Sequence, residues 1–132
     1  MSNNIIKVRT KKDINRTGED LQAAVVAHHF GVMATHDLKE TMAKKGVEFP
    51  CECRIFEVCN PHQARKVLAG NMDISTALPC RISLYEEDGE TVMATARPTA
   101  MLSFFGGAGV DAVAEEVEET MVAIMNDAAK CD

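Results

Sequence analysis

Glu57-Val58-Cys59-Asn60-Pro61-His62 reads as the end of a strand running directly into the start of a helix. Asn60 is a favoured N-cap, and Pro61 suits the first helical position, where its missing N–H costs nothing. Gln63 lies three residues after Asn60, the spacing of a capping box. Cys59 immediately precedes the cap. Its thiol is therefore expected near the positive end of a helix dipole, which would lower its pKa and make it nucleophilic. One stretch thus carries both a structural junction and the leading candidate for chemistry.

Upstream, residues 51–59 alternate as a strand, with Phe56 and Val58 on one face and Cys53, Ile55, Glu57 and Cys59 on the other. Downstream, the helix runs from Pro61 to Ala69, is stopped by Gly70, and is followed by a loop over 71–76. A strand over 81–86 and another over 90–97 flank Glu87-Asp88-Gly89, and Asp-Gly between alternating runs predicts a tight hairpin. The alternation puts Ile82 and Leu84 on the same face as Val92, Ala94 and Ala96, with Ser83, Tyr85, Met93 and Thr95 opposite. Pro98 breaks the strand, residues 99–105 read as a helical turn, and Gly106-Gly107-Ala108-Gly109 reads as a flexible link. The last helix has the clearest period: Val110, Val113, Ala114, Val117, Met121, Ile124, Met125 and Ala128 form one stripe, and Asp111, Glu115, Glu116, Glu118 and Glu119 form the wet face.

Toward the N-terminus, residues 5–10 predict a half-buried strand, and Asp13 caps a helix ending near His28-His29. Residues 30–35 form a further strand, and Asp37 caps a short helix over 38–45 that Gly46 terminates. The resulting order, β-α-β-(α)-β-α-β-β-α, predicts an α+β fold: a single-layer, mainly antiparallel sheet with helices on one face. The other face is then left for water or for a self-complementary dimer contact. At 132 residues, with no repeat and no internal boundary, the chain is expected to form a single domain with its core over about 5–128.

The net charge of −6 disfavours binding to a phosphate backbone, so no nucleic-acid partner is expected. No run approaches the roughly 18 apolar residues of a membrane span. The opening Met1-Ser2-Asn3-Asn4 lacks the basic region of a leader, which predicts a cytoplasmic location. Five cysteines, an odd count, are then expected to be reduced.

An ordered set of residues resembles a known family. It comprises Phe30-Gly31-Val32, Asp37 and its helix to Gly46, Ile55, Cys59-Asn60-Pro61, Ala64, Leu68, Leu78-Pro79-Cys80 and Tyr85-Glu86. Together they resemble the domain of unknown function 302 family over about residues 5–128. The resemblance implies a topology similar to half of a TATA-binding protein, commonly as a homodimer, and brings no catalytic residues with it. The sequence departs from the family at His29, where the family tends to have Gly, and at Cys51-Glu52-Cys53.

Each candidate residue has a structural reading and a chemical one. Cys59 can pack against Ala64 as a hydrophobic staple or act as a reactive thiol. Asn60 and Pro61 read as cap and helix starter. Cys80 shares a face with Ile82 and Leu84; if its strand lies antiparallel to that of Cys59, the two thiols can form a redox pair or a soft-metal site. His62 could approach Cys59. Cys51 and Cys53 can offer two thiolates to a metal, although a structural zinc site asks for four ligands. His36 lies beside Asp37, which reads as an N-cap, and Glu57 either reaches the open face or pairs with Arg81 or Arg97. The Gly-rich link lacks the Lys-Ser/Thr of a phosphate loop, and Ser103 has no hydrolase context. No complete catalytic set emerges. The leading expectation is a non-enzymatic homodimeric module that binds a small molecule or a partner. The alternatives are a thiol-dependent redox or sulfur-handling protein centred on Cys59, with or without Cys80, and binding of a metal or metallocofactor through Cys or His.

Overall fold

Residues 4–131 are described by the structure, a computed structural model; Met1-Ser2-Asn3, part of the stretch read for a leader, lie outside it. The strands are β1 (Ile5–Thr10), β2 (Gly31–Asp37), β3 (Cys53–Cys59), β4 (Cys80–Glu87) and β5 (Glu90–Ala96). The helices are α1 (Ile14–Ala27), α2 (Leu38–Lys44), α3 (Pro61–Gly70), α4 (Pro98–Ser103) and α5 (Val110–Ala129). The five strands form one antiparallel sheet in the order β1-β5-β4-β3-β2, with the helices on one side. Residues 71–76, read as loop, instead contain a 3-10 helix, Met72–Ala77, anchored by the fully buried Ile74. No described helix is long and apolar enough to cross a membrane.

The hairpin corrects the face assignment. Asp88 (φ 55°) and Gly89 (φ 78°) are both left-handed, as a two-residue type I′ turn requires. Glu87 therefore faces Glu90, and even-numbered residues of β4 face odd-numbered residues of β5: Leu84 opposes Met93 and Ser83 opposes Ala94. Met93 joins Ile82 and Leu84 in the core, and Thr95 is buried with its hydroxyl donating to the Arg81 carbonyl. Val92, Ala94 and Ala96 lie on the open face with Ser83 and Tyr85. Equal parity of the two strands, expected from their alternation, is forbidden by a two-residue turn.

A second irregularity reorients β2. The β2–β3 register shifts between Val32 and Ala34, leaving Met33 as an extra, exposed residue. Val32 opposes Val58 on the core side, whereas Ala34 opposes Glu57 and His36 opposes Ile55 on the open side. Without the bulge, His36 would point toward the helices.

The core is built by α1 and α5 against β3, β4 and β5. All eight residues of the predicted α5 stripe are buried. Gly18 lets α1 approach the sheet: a Cβ there would sit 3.4 Å from the Phe56 ring. The last carbonyls of α5 are satisfied from β1 and its turn, where the Thr10 hydroxyl donates to the Ala129 carbonyl at 3.0 Å and Lys12 Nζ donates to that of Lys130 at 2.8 Å.

The end of α1 is a Schellman turn. The Phe30 N–H bonds the Val25 carbonyl, the His29 N–H bonds that of Val26, and His29 adopts φ 66°. This is the position where the family resemblance expects Gly, and a Cβ in the left-handed region costs about 1–2 kcal/mol. His29 is exposed, so His29→Gly removes that strain without removing packing. After the extra unfolded-state entropy of Gly is subtracted, the variant is expected to gain about 1 kcal/mol, read as a rise in urea midpoint at unchanged slope.

Candidate functional site

The strand–helix junction folds as its residues dictate. Asn60 Oδ1 accepts from the N–H groups of His62 (3.0 Å) and Gln63 (3.2 Å), and Pro61 opens α3. The reciprocal half of a capping box is absent: the Gln63 side chain reaches Glu116 of α5 (3.4 Å). Interhelical packing takes Gln63 away from the cap and leaves its Oε1 buried without a hydrogen-bond partner.

Cys59 and Cys80 meet. Cys80 opposes Val58 across the β3–β4 ladder, and Cys59 is the next residue along β3. Both line a cavity of about 30 Å³ beneath α3, walled by Phe30, Val58, Ala64, Val67, Leu78, Leu102 and Val117. The cavity has room for a water or two, not for a metabolite. Cys59 and Ala64 share its wall, as a hydrophobic staple would place them. The expected activation by the helix dipole is reversed. Burial pushes the Cys59 thiol above its ordinary value, and burial followed by repulsion from Cys59 pushes Cys80 up to about 11. Desolvation of the thiolate outweighs a dipole whose first amide hydrogens are already capped by Asn60. Both thiols are therefore protonated at neutral pH, the opposite of an activated nucleophile.

The remaining candidates do not join this cavity. His62 is exposed and does not line it. Cys51 is exposed and Cys53, opposite Tyr85, lies at the start of β3; burial, then the Asp37 carboxylate, raises the Cys53 pKa. Among the described residues, no group of three or more His, Cys, Asp or Glu side chains is placed to hold a metal ion.

The open sheet face forms a second candidate surface. A shallow groove of about 210 Å³ is lined by Ile5, Ile55, Arg81, Ser83, Ala94 and Ala96, with Thr95 at its floor. Beside it a charged row crosses three strands: His36 Nε2 lies 3.3 Å from Glu57 Oε1, and Arg81 Nε donates to Glu57 Oε2 at 3.2 Å. His36, then Arg81, hold the Glu57 carboxyl below the usual range. The Glu57–Arg81 pair follows from strand parity. The part played by His36 could not be foreseen, because nothing in the sequence around Met33 announces the bulge that turns it outward.

A third arrangement was not anticipated. Arg97 Nη1 (3.0 Å) and the Thr99 hydroxyl (2.7 Å) and backbone N–H (3.1 Å) converge on Glu118, which the α5 periodicity assigns to the wet face. Because α4 has no side-chain cap of its own, Glu118 supplies one from the neighbouring helix.

The Gly-rich link is tied to the end of α3. The Asn71 amide donates to the carbonyls of Phe105 (3.0 Å) and Gly106 (3.3 Å), and the backbones of Gly70 and Gly107 lie in contact.

The profile of the family described as "Domain of unknown function DUF302" matches residues 6–128 of the chain. The fold is similar to that of a solved structure described as an uncharacterized conserved protein DUF302 from Bacillus stearothermophilus. The TM-score is 0.91 and the identity 27%, over 96% of this chain and 99% of that one. No curated protein matches the sequence.

Proposed function

The chain belongs to the DUF302 family of domains of unknown function, and on that premise we propose that it is a non-catalytic binding module that works as a homodimer through the open face of its sheet. The observation that carries this reading is the one-sided sheet. Five strands are covered by helices on one face only, and the other face presents the apolar groove of Ile5, Ile55, Ala94 and Ala96 beside the His36–Glu57–Arg81 row. An apolar centre with a charged rim is the anatomy of a protein interface. Pairing two such faces would deepen each groove into a pocket able to hold a small molecule. The protonated state of the two cavity thiols favours this reading over a thiol-dependent enzyme, and five unpaired cysteines fit a reducing cytoplasm.

Sedimentation at micromolar concentration is expected to give twice the 14.4 kDa protomer mass. Ile55→Lys places a charge at the centre of the face while its stem still covers the sheet; it is expected to sediment as a folded monomer. A wild-type protein that stays at 14.4 kDa would sink the proposal.

A further inference from the structure

We propose that Cys59 and Cys80 form a two-coordinate site for a soft, monovalent d10 cation, namely Cu(I), for which Ag(I) serves as a redox-inert probe. The assignment does not depend on the open sheet face.

Placement comes first. Cys80 opposes Val58, and Cys59 is one residue further along β3. Ladder geometry then sets their Cα atoms about 6 Å apart. Both residues line one small cavity, and the charge of one thiolate is felt by the other thiol, so the pair lies close together. No imidazole and no carboxylate lines that cavity; its only other polar side chains are the amides of Asn60 and Gln63.

The donor set then selects the ion. Thiolates prefer soft metals, and two of them with no hard ligand suit a monovalent d10 ion that accepts two-coordination. Zinc requires four ligands, and no third His, Cys, Asp or Glu converges on the pair among the described residues.

The step balances without an oxidant. The cation and two thiols give one S–M–S unit and two protons released to solvent. Two S–H bonds break, two S–M bonds form, and no atom changes oxidation state. The unit carries one negative charge. It forms beside the N-terminus of the ten-residue α3, whose dipole favours an anion there. Burial that makes the free thiols poor nucleophiles does not prevent this, because a coordinating metal deprotonates a thiol outright. It does make the affinity pH-dependent: displacing two protons strengthens binding by about two decades per pH unit while both thiols remain protonated.

The test is native mass spectrometry of the reduced full chain titrated with Ag(I), with Cu(I) competition against a chromophoric chelator. A background variant carrying Cys51→Ser, Cys53→Ser and Cys131→Ser is expected to bind one ion tightly, with a neutral-mass gain of the metal less one hydrogen, as a monovalent ion requires. In that background, Cys59→Ser and Cys80→Ser are each expected to weaken binding at least about 100-fold, beyond the loss that follows removal of a group that only supports a ligand. Circular dichroism checks that each variant is folded, and either variant alone suffices for the comparison. Binding that disappears in the triple-serine background, or that survives undiminished in folded Cys59→Ser or Cys80→Ser, would overturn the site.

Discussion

Gly107→Ala is expected to destabilise the protein by about 3 kcal/mol, the largest loss foreseen for any change to the Gly-rich link. Two independent costs add at this position. Its φ of 123° lies where only glycine is comfortable, and a Cβ would stand 2.8 Å from the Gly70 carbonyl oxygen and 3.0 Å from Val110 Cγ2. The oxygen cannot yield, because Gly70 closes α3 and Asn71, the next residue, is bonded to Phe105 and Gly106. For a chain of this length the loss corresponds to a fall of about 10 °C in Tm. Gly106→Ala is the control. Gly106 also has a positive φ (74°), but a Cβ there meets nothing within 4 Å, so its cost is the conformational one alone, about 1 kcal/mol. Equal effects of the two substitutions on thermal unfolding would refute the close backbone contact.

Glu118→Ala is expected to cost about 2 kcal/mol at neutral pH, since one carboxylate accepts from Thr99 twice and from Arg97. The same group adds a pH dependence. Burial pushes Glu118 up, but the hydroxyl and backbone hydrogen bonds of Thr99, together with Arg97, outweigh it and hold the carboxyl below the 4.5 of a free glutamate. A carboxyl whose folded pKa is depressed contributes stability that is fully present above the unfolded value. That contribution is lost as pH falls through the folded value. Wild-type stability is therefore expected to decline on the acid side of about pH 4.5 more steeply than that of Glu118→Gln, which retains acceptor shape but cannot titrate. Parallel acid limbs in urea titrations of the two proteins would show that Glu118 does not act in this way.

Where local chemistry and tertiary packing agree, the fold was legible in the sequence. The α5 stripe, the caps Asp13, Asp37 and Asn60, and the Asp88-Gly89 hairpin all stand where period and capping rules place them. The misreadings have two physical sources. Strand faces depend on pairing parity, which the turn sets for β4 and β5 and the bulge at Met33 sets for β2; a strand's own alternation is blind to both. Side chains able to satisfy a local motif can be taken by a neighbouring helix, as Gln63 and Glu118 are. The same limit applies at Cys59. Its position before the cap suggested a lowered pKa, but the cavity around it decides the matter, and that cavity is walled by residues from five elements and their connections. The condition set from sequence for Cys59 and Cys80, that β3 and β4 be antiparallel neighbours, is met by the ladder.

The strand order β1-β5-β4-β3-β2 carries a consequence for synthesis of the chain. Among the described strands β1 is made first, and its one sheet neighbour, β5, is made last. The α5 carbonyls that Thr10 and Lys12 satisfy are made later still. The meander β2-β3-β4-β5 can assemble from successive antiparallel pairs as it emerges, but β1 must wait for nearly the whole chain before it finds a partner. Non-local closure of this kind raises contact order and slows folding.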